Sequence, residues 1–214
     1  DARIYKRQGA SLNDASFRVS YLLSGDGILS EINGIEIHSL KFDSKTRYSR
    51  FFRRTHLFFK KAIELDADIY QISEPEMISL GLLLIGKGYK VVLDLREDYV
   101  QEIINREYMP RYLRRIVSNI FRRYLRFAMP QFDYVFCVDP HLLDIANKIV
   151  KLENSVCVTN FPIVTAHSSY SLGEYLEREN MLIYSGSVYK ESRQELLFKS
   201  LVGHSNLRYV IVGK

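Results

Sequence analysis

The residues best suited to chemistry sit where apolar runs give way to polar ones. Three such junctions stand out: Asp68-Ile69-Tyr70-Gln71-Ile72-Ser73-Glu74-Pro75-Glu76, Asp94-Leu95-Arg96-Glu97-Asp98-Tyr99 and Val158-Thr159-Asn160-Phe161-Pro162. Glu74 and Glu97 are carboxylates able to orient hydroxyl groups or act as a base. The competing role for each is a helix N-terminal carboxylate favoured by the helix dipole. Arg96 offers a planar fork that clamps a phosphate or carboxylate bidentately. Ser73 supplies a hydroxyl that can hydrogen-bond a ligand but does not titrate near neutral pH. Asn160 and Pro162 suit a hinge or turn.

The elements that must position these residues alternate in type. Arg3 to Asp14 predicts a helix, Phe17 to Leu23 a strand with Gly25-Asp26-Gly27 as turn material, and Gly34 to Leu40 another strand. A basic helix follows, then strand Asp68 to Ile72, helix Pro75 to Ile85 and buried strand Lys90 to Leu95. After a second basic helix come strand Asp133 to Val138, helix Pro140 to Val150 and strand Val156 to Thr159. Short β-rich runs alternating with helical patterns predict an α/β chain: a Rossmann-type parallel sheet with helices on both faces. In such sheets ligands bind beyond the carboxyl ends of the strands, where the three junctions fall.

A composition shift follows Asn160-Phe161-Pro162. The expected organisation is a first domain over 1–165, a linker over 166–179 rich in Ser, Thr and Gly, and a new unit over 180–214. That unit reads as strand Met181 to Tyr184, Gly186 in a turn, helix Lys190 to Leu201 and strand Arg208 to Val212. One βαβ unit cannot bury both faces of its sheet, so the expectation is a second Rossmann domain truncated at Lys214. The first domain likewise opens on a helix where a central strand is usual, so its first strand is expected to be missing.

The 214 residues are 47% hydrophobic and 26% charged, which excludes a disordered or collagenous chain. No stretch approaches the roughly 18 apolar residues of a membrane span. The start has no signal-peptide pattern, and a cytoplasmic setting is expected, possible peripheral contact with the inner face of the cell membrane included. Cys137 and Cys157 lie in apolar runs and are expected to be reduced core thiols. His38, His56, His141, His167 and His204 are scattered without ligand spacing, so no metal site is expected.

The net charge of +5 is concentrated in two segments. Lys45 to Lys61 carries +7 and Arg106 to Pro130 carries +6, which leaves −8 for the remainder. Both read as amphipathic helices. In the first, Phe51, Phe52, Phe58, Phe59, Ala62 and Ile63 share a face opposite Arg50, Arg53, Arg54, Lys60 and Lys61. In the second, Leu113, Ile116, Val117, Ile120, Phe121, Tyr124 and Ala128 form an arc opposite Arg111, Arg115, Arg122 and Arg126. Cations with almost no anions point to an anionic partner, either lipid headgroups or a polyphosphate. No nucleic-acid motif accompanies the charge, and no nucleic-acid partner is expected. Gly25-Asp26-Gly27 and Gly86-Lys87-Gly88 both fail the G-x-G-x-x-G fingerprint, and no P-loop occurs.

Taken in order, the motifs resemble glycosyltransferase family 4, enzymes of the two-Rossmann-domain GT-B fold. Asp1 to Leu12 is similar to that family's D-x-R-I-F/Y-K-x-x-x-S-L helix, and Ala67 to Leu84 to its A-D-I-Y-H-x-H-E-P-E-L segment. Val91 to Tyr99 is similar to V-x-x-D-x-H-E-D-Y, and Ile183 to Gly186 to the I-Y-x-G-G start of the nucleotide-sugar domain. The resemblance spans almost the whole chain. It implies transfer of a sugar from a nucleotide-diphosphate sugar to a saccharide or lipid-linked acceptor, without a further cofactor. Ser73, Glu74, Arg96 and Glu97 would then lie at the catalytic centre. Gly186, Ser187, Lys190 and Arg193 would lie under the donor diphosphate, where cations and free backbone N–H groups at a helix start are needed.

Two departures fall on residues that would act. Ser73 stands where the family has the second His of H-x-H-E-P, and Arg96 stands where it has the His of D-x-H-E. In the loop after Gly186, Arg193 is shifted by one place from the family's pattern, and the E-x7-E pair of the later donor domain does not occur after Asn160. The leading expectation is the acceptor domain of a glycosyltransferase with the first βαβ of its donor domain, inactive as this segment alone. The alternative is a catalytically inactive glycosyltransferase-like partner or scaffold at a membrane surface.

Overall fold

The computed structural model describes residues 4–27, 29–41, 47–106, 108–161, 177–186, 188, 192–204 and 206–213. The chain forms two compact units, Asp1–Phe161 and Pro162–Lys214. The expected linker lies outside the described residues up to position 176.

The first unit is a mixed α/β structure built on a four-stranded parallel sheet with flanking helices, compatible with a Rossmann-like fold. Its strands, in spatial order, are β4 (Ile69–Ile72), β5 (Lys90–Leu95), β6 (Tyr134–Cys137) and β7 (Ser155–Cys157). Helix α3 (Ile78–Ile85) packs on β4 and β5, and α6 (Pro140–Asn147) packs on β6 and β7. The central strand β5 is buried continuously from Val91 to Leu95, the pattern of a parallel strand covered on both faces. Ile78, Leu84, Val91, Leu93, Val135 and Ala146 form the centre of the core, each no more than 1% exposed.

A second, three-stranded sheet contains β1 (Ser20–Ser24), β2 (Leu29–Ile32) and β3 (Ile35–Leu40). Strand β3 is central, parallel to β1 and antiparallel to β2. The expectation of one parallel sheet for this unit is therefore corrected: β2 was not foreseen, and it reverses direction. The cause is the Asn33-Gly34 turn. Both residues have positive φ, 54° and 76°, which gives the two-residue turn whose twist matches a hairpin.

The helices differ from expectation in instructive ways. The opening segment is a π-helical stretch, Ile4–Gly9, running into a short α1 (Ala10–Asp14) rather than one regular helix. An unforeseen α4 (Tyr99–Asn105) precedes the second basic helix, started by the Asp98 carboxylate, which accepts from the backbone N–H groups of Val100 and Gln101 at 3.1 and 3.0 Å. In α2 (Arg47–Leu65), Phe58 and Ala62 are buried as expected, but Phe52 is exposed. Arg54 is drawn to the covered side, its guanidinium 5.7 Å from the Phe58 ring centre. In α5 (Arg111–Ala128) the buried residues are Ser118, Leu125 and Ala128, whereas Leu113, Ile116 and Ile120 face outward. A single apolar arc was expected there; the helix turns a different sector inward.

The second unit holds β8 (Met181–Ser185) and β9 (Arg208–Val212), paired in parallel, and α7 (Gln194–Leu201) between them in sequence. Among the described residues no helix is long and apolar enough to cross a membrane.

Candidate functional site

The polar centre of the first unit lies at the carboxyl ends of β4 and β5, and it is organised by one side chain. Asp94, the penultimate residue of β5, is 0% exposed in a strand whose other residues from Val91 onward are apolar. A buried carboxylate is costly unless donors surround it. Gln71 Nε2 donates to Asp94 Oδ2 at 3.2 Å, and the Ser73 hydroxyl lies 3.4 Å from the same oxygen. Parallel pairing sets this up: Ile72 stands in register with Leu93, so Ser73 emerges beside Asp94 as β4 ends.

The network extends to the opening turn of the chain. Gln71 Nε2 also lies 3.1 Å from Gln8 Oε1, and Arg7 donates through Nη1 to both the backbone oxygen, at 3.0 Å, and the side-chain oxygen of Asn160. Both Arg7 and Gln8 lie in the π-helical stretch, a geometry concentrated at functional sites because its wide turn re-aims side chains. Residues from the ends of β4, β5 and β7 and from the N-terminal turn thus take part in one polar rim.

Tyr99, at the start of α4, closes the inner side. Its hydroxyl donates to the Ser73 carbonyl at 3.3 Å, and its ring meets Phe121 edge-on at 6.5 Å. Burial pushes its pKa up to about 12, with the nearby Asp94 and Glu74 carboxylates acting in the same direction. Tyr99 is therefore a neutral donor throughout the physiological range.

Of the residues singled out in the sequence, Ser73, Glu74 and Arg96 come together. Arg96 Nη1 lies 3.7 Å from Glu74 Oε1, and both side chains remain partly exposed. A second pair, Arg54 with Glu76 at 3.6 Å, stands two residues further along. Glu97 faces solvent, and its carboxylate has no hydrogen-bond or ion-pair partner among the described residues. Asn160 binds Arg7 rather than acting only as a turn former. Gly186 and Arg193 belong to the second unit. Gly186 has φ 154° and donates its N–H to the Val212 carbonyl at 3.0 Å. A Cβ on Gly213 would stand 2.0 Å from the Gly186 oxygen, so the two strand ends approach as only glycine allows. Arg193 is exposed, left-handed at φ 47°, and sits at the N-cap of α7. Ser187 and Lys190 lie outside the described residues.

Sequence reasoning did not select Asp94, Gln71, Gln8, Arg7 or Tyr99. The signal for Asp94 was present, since one acid inside Val91-Val92-Leu93-Asp94-Leu95 breaks a buried strand and must have partners. The other four are ordinary in type, and only the sheet register and the opening turn bring them in. Among the described residues no group of three or more His, Cys, Asp or Glu side chains could hold a metal ion.

The groups open to a ligand are the partly exposed Ser73 hydroxyl and the Arg96–Glu74 and Arg54–Glu76 pairs, while Asp94 and Tyr99 are buried beneath them and hold Ser73 in place. Hydroxyl, carboxylate and guanidinium groups side by side can donate to and accept from the hydroxyl groups of a ligand. No protein-family model matches the chain, and no curated protein matches it.

Proposed function

We propose that the chain is part of a glycosyltransferase of the GT-B type, transferring a sugar from a nucleotide-diphosphate sugar to a saccharide or lipid-linked acceptor in polysaccharide or glycoconjugate synthesis. The observation that carries this reading is the Asp94 network at the carboxyl ends of β4 and β5: a fixed array of donors and acceptors where parallel sheets bind ligands. In this reading Ser73, Glu74, Arg96 and Glu97 face the reacting sugars. The donor diphosphate is held by Gly186, Ser187, Lys190 and Arg193, whose cations and backbone N–H groups stabilise the leaving phosphate. The work is done on the cytoplasmic side, with peripheral attachment to the inner face of the membrane.

The second reading, an inactive glycosyltransferase-like partner, is favoured by a specific observation. The Ser73 hydroxyl is directed at Asp94 and Arg96 is paired with Glu74, while Tyr99 stays neutral until about pH 12. The two readings separate in one experiment. Ligand-observed NMR of the chain with uridine and guanosine diphosphate sugars is expected to show binding that Arg193→Ala weakens at least tenfold. Binding without turnover, even after Ser73→His and Arg96→His restoration, favours the partner reading. Absence of binding to every nucleotide sugar overturns the transferase reading.

A further inference from the structure

At about 100° per residue, α5 divides into three sectors rather than two. One is packed inward and contains Ser118, Leu125 and Ala128, with Val117, Phe121 and Tyr124 half-buried. The second carries Arg111, Arg115, Arg122 and Arg126, all exposed. The third is an outward apolar stripe: Tyr112 is 69% exposed, Ile116 52%, Ile120 62% and Phe127 66%, with Leu113 at its edge. Isolated exposed apolar residues are ordinary, but a row on one face of one helix is a surface awaiting cover. With a rise of 1.5 Å per residue, Tyr112 to Phe127 extends for about 22 Å.

Charge decides what covers it. The helix has six arginines and no acidic residue. Arg111, Arg115, Arg123 and Arg126 make no ion pair with any described residue, and Arg123 rises within the apolar stripe itself. A second copy of the same face would bring these cations against one another, which disfavours self-association. Beside the start of the helix, Ile104, Arg111, Arg114 and Arg115 line an open cleft of about 250 Å³. Arg114 is tied there to the carbonyls of Met109 and Ile104 at 2.6 and 3.4 Å, whereas Arg111 and Arg115 are exposed.

We infer that α5 lies in the interface of an anionic lipid bilayer, its Tyr112–Phe127 stripe among the upper acyl chains and its arginines on lipid phosphates. Long arginine side chains reach sideways and upward from an immersed stripe, so a neighbouring basic sector is compatible with apolar insertion. The inference rests on the surface-attachment part of the proposed function and assigns it to one helix and one lipid class. It does not depend on the strand-end site.

The test is flotation of the full chain with vesicles of phosphatidylcholine alone and of phosphatidylcholine mixed with phosphatidylglycerol. The expected result is binding to the anionic vesicles only, weakened by salt. Ile116→Glu with Ile120→Glu should abolish it. Arg115→Gln, Arg122→Gln and Arg126→Gln together should weaken it about 100-fold, at roughly fivefold per cation near the surface. All five positions are exposed, and circular dichroism checks that the fold is kept. Binding that is indifferent to lipid charge, or unchanged by either variant, overturns the inference. So does a dimer in solution that Ile116→Glu with Ile120→Glu dissociates, since the stripe would then be covered by a second copy. Failure of nucleotide-sugar binding with vesicle binding intact would refute the transferase reading alone.

Discussion

Replacing Tyr99 by Phe should destabilise the chain at neutral pH and stabilise it, relative to the parent, in strong alkali. At neutral pH the variant loses the bond from the phenol to the Ser73 carbonyl while keeping the ring contact with Phe121. A typical loss of this kind is about 1 kcal/mol. In alkali the sign reverses. Burial raises the pKa of Tyr99 from 10.0 to about 12, so the folded state favours the neutral phenol. The contribution is complete below pH 10, where neither state has ionised. It falls between pH 10 and 12, as the unfolded chain loses its proton and the folded chain does not. Two pH units correspond to roughly 3 kcal/mol lost from the parent over that window and none from the variant. The two stability curves should therefore cross between about pH 10 and 11, by the same linkage relation. Urea denaturation of both proteins from pH 7 to 11.5 measures the difference directly, and the tyrosines common to both cancel. Parallel curves with no crossing would refute the account of Tyr99 as a buried phenol held at the centre of the site.

Two further predictions concern the core behind the site. The Cys137 thiol, 0% exposed, is pushed up to about 12 by burial, so alkylation by iodoacetamide at pH 8 should modify the half-buried Cys157 first and reach Cys137 only on unfolding, as peptide mass spectrometry will show. Gly81→Ala should cost about 1–3 kcal/mol by overpacking, read as a lowered urea midpoint, because the new methyl group would meet Phe132 at 2.7 Å and Ile72 at 3.2 Å.

Much of the architecture was legible because burial leaves a plain mark on composition. Lys90–Leu95 and Arg208–Val212 are legible as β-rich runs, the first despite Asp94 within it, and Ile78–Ile85 as an apolar segment following Pro75. The hairpin has its turn signal in Asn33-Gly34, but its first strand, Leu29–Ile32, is only four residues long and carries Ser30 and Glu31, too little β-rich sequence to stand out. The α5 arc misled because apolar periodicity states that a face exists without stating which sector the fold covers. Leu125 and Ala128 anchor the helix, and the Ile116 and Ile120 side is left outside. The candidate site was half legible. Ser73, Glu74 and Arg96 stood at strand ends, but the residue that organises them, Asp94, acts through a register between strands some twenty residues apart in sequence, and Gln8 acts through a turn.

The central claim is that the strand-end site binds a sugar substrate, and an Asp94 substitution tests it most directly. Saturation-transfer NMR with a panel of saccharides should report binding to the parent chain. Asp94→Asn keeps the volume of the side chain but removes its charge, so it loosens Gln71 and Ser73 and should weaken that binding at least tenfold, from the loss of one or more charge-assisted hydrogen bonds. The folded state of the variant is checked by its amide spectrum. Saccharide binding that is equal in parent and variant, with the fold intact, would contradict the account.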